Sequence, residues 1–284
     1  FLLMRKQIAL LVKKFSPDYI YTTYPTQVEF VKKLSVPVIY DCMDNHPSFI
    51  KNNNNRSKIV VQEKELIKKA RYVLCSSQKL KSVLLERYGN GIGQKTTIVR
   101  NGYNGELTKL EICQLQSKQT YRIAYFGTLS SWFNFEFLIR SLDDIPEVEY
   151  VLMGPIAGVE IPKHKKIKYI GTVEHDELYD TVKNTDCLFM PFIVNEIIES
   201  VDPVKLYEYI NFGKDILCVK YPEVERFEPY VNFYNTYDEY IDQIRKMMKN
   251  HERKYTDDQR IDFLKENDWK SRVRQIEEII GEIK

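Results

Sequence analysis

Apolar positions along this chain follow two alternating rhythms. Short runs rich in β-branched and aromatic residues read as strands, and longer stretches with apolar residues every three or four positions read as helices. Through the first third the expected strands are Asp18–Thr22, Pro37–Cys42, Tyr72–Ser76 and Thr96–Arg100. Helical spacing occupies Arg5–Phe15, Thr26–Leu34, Ser57–Ala70 and Gln78–Tyr88. Ser16-Pro17 ends the first helix, Ser57 is the expected N-cap of the third, and Ser48–Arg56, with its Asn52–Asn55 run, reads as a polar loop. Glu111–Thr120 is polar and aperiodic and reads as a linker.

The alternation then restarts. Strands are expected at Arg122–Phe126, Glu149–Met153, Ile167–Ile170, Cys187–Pro191 and Ile216–Val219. Helices are expected at Phe133–Leu142, Glu177–Lys183, Pro203–Phe212, Tyr237–Met248, Gln259–Lys265 and Trp269–Lys284, the last with Ile276, Ile279, Ile280 and Ile283 on one face. Repeated βα units of this length predict parallel sheets covered by helices on both faces. The expected class is therefore α/β, with two doubly wound lobes at residues 1–115 and 116–268. Residues 269–284 form a C-terminal helix packing back towards the first lobe. Ligands of such sheets bind beyond strand C-termini, here in a crevice between the lobes, so chemistry is sought just after strands.

A chain of 284 residues fits roughly two domains, and 43% hydrophobic with 29% charged residues excludes disorder and fibrous classes. No apolar run approaches the ~18–20 residues of a membrane span. Phe1-Leu2-Leu3-Met4 runs straight into Arg5-Lys6, which is not a signal-peptide pattern. Residue 1 is Phe, and further residues are expected to precede it. The five cysteines lack CxxC spacing, which disfavours a disulfide framework or zinc ribbon and suits a reducing cytosol. Charge is uneven: residues 1–117 carry 19 Lys/Arg against 9 Asp/Glu, and residues 118–284 carry 23 against 31. The basic part suits a phosphorylated or membrane-bound substrate. Nucleic acid is excluded as a partner, because no recognition motif accompanies the charge.

Several familiar motifs are absent: GxGxxG, a Walker loop, HExxH, GxSxG and any Asp-x-Asp. The four histidines are scattered, which disfavours a metal centre. The most informative segment runs from Asp202 to Leu217, DPVKLYEYINFGKDIL. Pro203 suits a first helical turn and Gly213 a C-terminal stop. Lys205 and Glu208 share one helical face, and a helix N-terminus carries free N–H groups and a positive dipole end. A lysine there suits a diphosphate, and a glutamate one turn on can accept two ribose hydroxyls. The same spacing also suits a surface ion pair worth only about 0.3–0.5 kcal/mol.

That segment resembles the P-x-K-x-x-E-Y-x-x-x-G-K motif of GT-B glycosyltransferases related to family 4, which build bacterial capsules, teichuronic acids and other surface polysaccharides. Seven further segments are similar in the same order: Val38–Asn45 (VIYDCMDN), Ala70–Ser77 (ARYVLCSS), Val99–Asn104 (VRNGYN), Ala124–Thr128 followed by Trp132-Phe133, Val151–Pro155 (VLMGP), Asp186–Phe192 (DCLFMPF) and Trp269–Arg272 (WKSR). The resemblance implies two Rossmann-like lobes, the first truncated and without its opening strand and glycine-rich loop. It implies sugar transfer from a nucleoside-diphosphate-sugar, with UDP or GDP as the nucleotide, to a hydroxyl acceptor. The reaction would be retaining, and would need neither metal nor other cofactor. A lipid-linked saccharide would be the acceptor, met by a cytoplasmic enzyme peripheral to the inner membrane face.

The same resemblance implies residue roles. Lys205, Glu208, Gly127, Thr128, Thr172, Val173 and Asp202 would hold the donor, Asp41 and Asp44 would be catalytic, and Asn101 would line the cleft. Gly127 and Thr128 would offer amides to the diphosphate, and Gly171-Thr172-Val173 would cup the base. Two departures stand out. The first acid of the family's E-x7-E pair would fall on Val201, with Asp202 beside it, and the usual Arg is absent near Ser130 and Ser131. Two other readings stay open: a sugar-nucleotide epimerase of the same fold, and a non-catalytic lobe pair that binds a partner.

Overall fold

A computed structural model describes residues 2–110, 120–250 and 253–281. The expected linker at Glu111–Thr120 lies almost wholly outside the described residues, as do Cys113, His251 and Ile283. In chain order the elements begin α1 (Leu2–Phe15), β1 (Ile20–Thr22), α2 (Val28–Val31), β2 (Val38–Cys42), α3 (Asn53–Lys69), β3 (Ala70–Cys75), α4 (Gln78–Tyr88) and β4 (Thr96–Ile98). They continue with β5 (Tyr121–Phe126), α5 (Phe135–Asp144), β6 (Val148–Met153), β7 (Ile167–Tyr169), α6 (Leu178–Val182) and β8 (Cys187–Met190). The remainder are α7 (Glu196–Glu199), α8 (Val204–Asn211), β9 (Asp215–Val219), β10 (Asn232–Tyr234), α9 (Tyr237–Asn250), α10 (Asp257–Glu266) and α11 (Trp269–Gly281).

The chain forms two compact units: Phe1–Asn101 with Glu199–Asp202 and Lys270–Lys284, and Gly102–Ile198 with Pro203–Trp269. The first holds a parallel sheet of order β1-β2-β3-β4. Alternate side chains of a strand point to opposite faces, and here both faces are covered. Val38, Tyr40 and Cys42 of β2, with Val73 and Cys75 of β3, pack against Leu66 and Ile67 of α3 and Leu80 and Leu84 of α4. Ile39, Tyr72 and Leu74 point the other way and meet Ile276, Ile279 and Ile280 of α11. The near-continuous apolar strands follow from this double burial.

The second unit holds a parallel sheet of order β10-β9-β8-β5-β6-β7. The chain moves outward from β5 through β6 to β7, then returns beside β5 and moves the other way through β8, β9 and β10. With crossovers of the usual right hand this path puts helices on both faces, and it leaves a switch point between β5 and β8. Edge-to-face rings of Tyr125, Phe133, Phe189 and Phe192 fill the interior. The buried hydroxyls of Tyr150 and Tyr240 lie 2.6 Å apart, and Ser141 Oγ is 2.6 Å from that of Tyr150.

Three local expectations need correction. The Asn52–Asn55 run is the start of α3: Asn52 is its N-cap, with its side-chain oxygen accepting from the Asn55 N–H at 3.1 Å, and Ser57 lies within the helix. An amide oxygen caps as well as a hydroxyl, so a run of asparagines begins a helix as readily as it forms a loop. Thr26–Leu34 is divided into a 3₁₀ turn at Pro25–Gln27 and the four-residue α2. There the Gln27 side chain accepts from the N–H groups of Thr23 and Tyr24. The short β10 and α7 carry too few residues for a period to show.

Candidate functional site

The second unit gathers six of the expected residues at the C-terminal ends of β5, β6 and β7 and at the start of α8. Gly127, Gly154 and Gly171 end or follow these three strands, each with positive φ. The Gly127 N–H donates to Met153 O at 3.0 Å and the Gly154 N–H to Gly171 O at 2.8 Å, so the three turns lie in register. A Cβ on Gly154 would stand 2.2 Å from Gly127 O, and one on Gly127 would stand 2.1 Å from Lys205 Cε. Gly154 needs glycine for space, because its neighbours are backbone, and both positions need it for backbone conformation.

Lys205 thus lies directly over Gly127. Its ammonium is 6.0 Å from the Tyr125 ring centre and makes no hydrogen bond or ion pair among the described residues. Burial lowers its pKa from the usual lysine value, and the Glu208 charge opposes that shift. The N–H groups of Val204 and Lys205, at the start of α8, likewise have no partner among the described residues, as a helix start leaves them. Nor does the Thr128 N–H, whereas the Gly127 N–H is already engaged by Met153 O and is lost to any ligand. The Tyr125 hydroxyl donates to Thr128 O at 3.0 Å and fixes that turn. A half-buried cation, a helix start and an open amide together can hold an anion.

Glu208 sits one turn on, with a mostly buried carboxylate. His175 Nε2 donates to Glu208 Oε1 at 2.9 Å. His175 opens the 3₁₀ turn at His175–Glu177, just past Gly171-Thr172-Val173. Thr172 is exposed and Val173 half-buried against the core. Sequence reasoning placed no role on His175, and only its position after a strand end could have drawn notice.

The other three acids fall in the first unit. Asp41 is the penultimate residue of β2, where burial raises its pKa and the Tyr21 hydroxyl, donating at 2.7 Å, opposes the rise. Burial also raises the pKa of Asp44, against the charge of His46. Asp202, expected at the donor, is held by its own unit. Its carboxylate is fully buried, with Oδ2 accepting from the Asn101 N–H at 2.7 Å and Oδ1 3.9 Å from Arg100. The Asn101 side-chain amide donates to Asp202 O at 2.7 Å, so the two residues clasp each other.

The turn after β2 rests on a buried network that the sequence did not reveal. The Glu63 carboxylate is wholly inaccessible and accepts from Tyr40 at 2.8 Å, Tyr88 at 2.5 Å and Arg87 at 3.2 Å. Arg87 also donates to the Asn45 side chain at 2.8 Å, directly after Asp44. Glu63 and Arg87 look like ordinary surface residues of amphipathic helices until tertiary packing buries them. A cavity of about 390 Å³, lined by Glu29, Ser57, Lys58, Val61, Gln62 and Glu65, lies between α2 and α3 and includes no candidate residue. Among the described residues no three His, Cys, Asp or Glu side chains gather as metal ligands, and no helix is long and apolar enough to cross a membrane.

Among models of known protein families, none matches the chain. The chain is 24% identical over 266 residues to a Bacillus subtilis protein provisionally named teichuronic acid biosynthesis glycosyltransferase TuaH. The match covers 86% of this chain and 66% of that protein, so the chain spans just under two thirds of the relative's length. Anabaena HepE, solved in complex with UDP, superposes with a TM-score of 0.75 at 14% identity, over 98% of this chain and 82% of that one. Sucrose-phosphate synthase from Thermosynechococcus elongatus superposes with a TM-score of 0.69 at 12% identity, over 98% and 77%. With its two parallel α/β units and these neighbours, the chain has the fold of the GT-B glycosyltransferases.

Proposed function

We propose that this protein is a glycosyltransferase that moves a sugar from a nucleoside diphosphate to a hydroxyl acceptor. The observation that carries the reading is Lys205: a half-buried ammonium in no hydrogen bond or ion pair among the described residues, lying over Gly127 at the head of α8 with the Glu208 charge one turn on. Departure of a nucleoside diphosphate develops charge on its phosphate oxygens. Lys205, the first turn of α8 and the Thr128 N–H would stabilise that charge, and fixed groups do so without reorganising. Glu208 takes the ribose hydroxyls and the Thr172–Val173 backbone takes the base. Asp41 and Asp44 are assigned to the acceptor hydroxyl, and carboxyls made more basic by burial suit proton removal.

UDP or GDP is the proposed nucleotide; UDP is the ligand in the HepE structure. The name of the Bacillus relative supports a bacterial surface polysaccharide as the product. We assign the reaction as retaining. With no Asp-x-Asp pair to hold a cation, diphosphate neutralisation falls to Lys205 rather than to a metal or other cofactor. A lipid-linked saccharide acceptor and a peripheral position at the inner membrane face complete the proposal, supported by the basic excess of residues 1–117.

Calorimetry with UDP, GDP and ADP tests the site. The wild-type protein should bind at least one of them, and Lys205→Ala and Glu208→Ala should each weaken that binding about tenfold or more while circular dichroism stays native. Unchanged affinities in both variants would refute the site.

A further inference from the structure

We infer that His175 is a latch on Glu208 which the ribose of an incoming nucleotide must displace. This rests on the reading of Glu208 as the ribose-binding group. A vicinal diol bridges a carboxylate by bonding both of its oxygens. In this structure Oε1 of Glu208 already accepts from His175 Nε2 at 2.9 Å, and no other side chain among the described residues bonds this carboxylate. One of the two hydroxyls must therefore reach Oε1, on which the imidazole already sits, and the two compete for the space around that oxygen.

The histidine is placed to leave. Its side chain is 68% exposed, whereas that of Glu208 is 17% exposed and held on a packed helix. The hydrogen bond to Glu208 is the one side-chain hydrogen bond made by residues 172–175 among the described residues. Gly171, with φ +83 and nothing within 4 Å of a hypothetical Cβ, stands in open space four residues earlier. The 172–175 segment is thus tethered to α8 at a single polar point. Breaking that point frees the Glu208 carboxylate, while Val173 keeps its packing against the core.

The test compares wild type, His175→Ala and His175→Gln by calorimetry with UDP, GDP and the 2′,3′-dideoxy counterpart of whichever binds. A net hydrogen bond of ordinary strength corresponds to an affinity change of roughly threefold to tenfold. His175→Ala should bind the ribonucleotide tighter by that factor, and His175→Gln, which keeps a donor, should lie between it and wild type. The dideoxy compound, with no hydroxyls to compete, should bind wild type and His175→Ala alike. Equal or weaker ribonucleotide binding by His175→Ala overturns the latch. Equal tightening for the dideoxy compound also overturns it, since the histidine would then act on access or charge. If wild type binds no nucleoside diphosphate at all, the assignment of Glu208 fails and the latch fails with it.

Discussion

Lys205→Met should make the unliganded protein more stable and the liganded protein less so. Lysine at this position places an ammonium under partial burial with no ion pair among the described residues, and burial disfavours its charged form more than the Glu208 charge supports it. Burial disfavours the charged form in the folded chain and not in the unfolded one, so desolvation is a cost to folding. Methionine keeps an unbranched stem over Gly127 and Tyr125 and removes the charge. Replacing poorly compensated buried charges with apolar groups is commonly neutral to stabilising by 1–4 kcal/mol, and partial solvation here reduces the expectation to about 1 kcal/mol. For a unit of this size that raises Tm by roughly 2–4 °C. Nucleotide at a hundred times its Kd adds about 2.7 kcal/mol to the wild type, or roughly 5–11 °C. Losing one or two charge-assisted hydrogen bonds, about 1.5–3 kcal/mol each, weakens binding about a hundredfold. At the same nucleotide concentration the variant's gain then shrinks to about 0.4 kcal/mol, roughly 1 °C. Thermal denaturation with and without UDP or GDP reads both numbers. A variant that melts several degrees below wild type without ligand, yet still gains the full ligand shift, would refute the placement of Lys205 as a ligand-facing cation.

Asp215 supplies a pH-dependent prediction. Burial is the largest cause of its rise to a pKa of about 6, with Arg253 and Lys214 opposing it. An acid whose folded pKa exceeds its unfolded value near 3.9 loses stability as pH rises from about 4 through 6. Asp215→Asn should therefore raise Tm at pH 7 but not at pH 4, by an amount reflecting about 1–2 kcal/mol after allowance for solvent; an equal effect at both pH values would contradict the assignment. Glu63→Ala strips partners from Arg87, Tyr40 and Tyr88 in a buried network. It should lose about 3–5 kcal/mol, read as a lowered denaturant midpoint, and a loss below 1 kcal/mol would mean that water replaces the carboxylate. Asn52→Ala should cost about 1 kcal/mol as a lost helix cap, while Ser57→Ala stays within about 0.5 kcal/mol; the reverse order would move the start of α3.

The strands and long helices were legible because their signal is local. Alternating double burial makes β2, β3, β5 and β8 apolar throughout, and α5, α9 and α11 carry clear stripes. Gly213 could be placed as a helix stop from sequence alone, and its φ of +63 follows the expected geometry. The Lys205–Glu208 pair was legible for the same reason, since three-residue spacing on one helix sets a shared face. What was hidden depends on distant partners. Asp202 looks available until Asn101 and Arg100 cover it, and Glu63 looks solvated until two tyrosines and an arginine surround it. His175 matters only because a turn after β7 reaches a helix 33 residues later.

The place of α11 in the first unit bears on how the chain is made. One face of that unit's sheet, with Ile39, Tyr72 and Leu74, is covered by residues that leave the ribosome after the whole of the second unit. At about 5–20 residues per second, the ~170 residues between Asn101 and Lys270 keep that face bare for roughly 10–35 s. The second unit, nearly continuous in sequence, can mature first, so of the two units the one made earlier finishes folding later. During that interval the nascent chain presents an apolar sheet face, with Ile39, Tyr72 and Leu74, to holding chaperones.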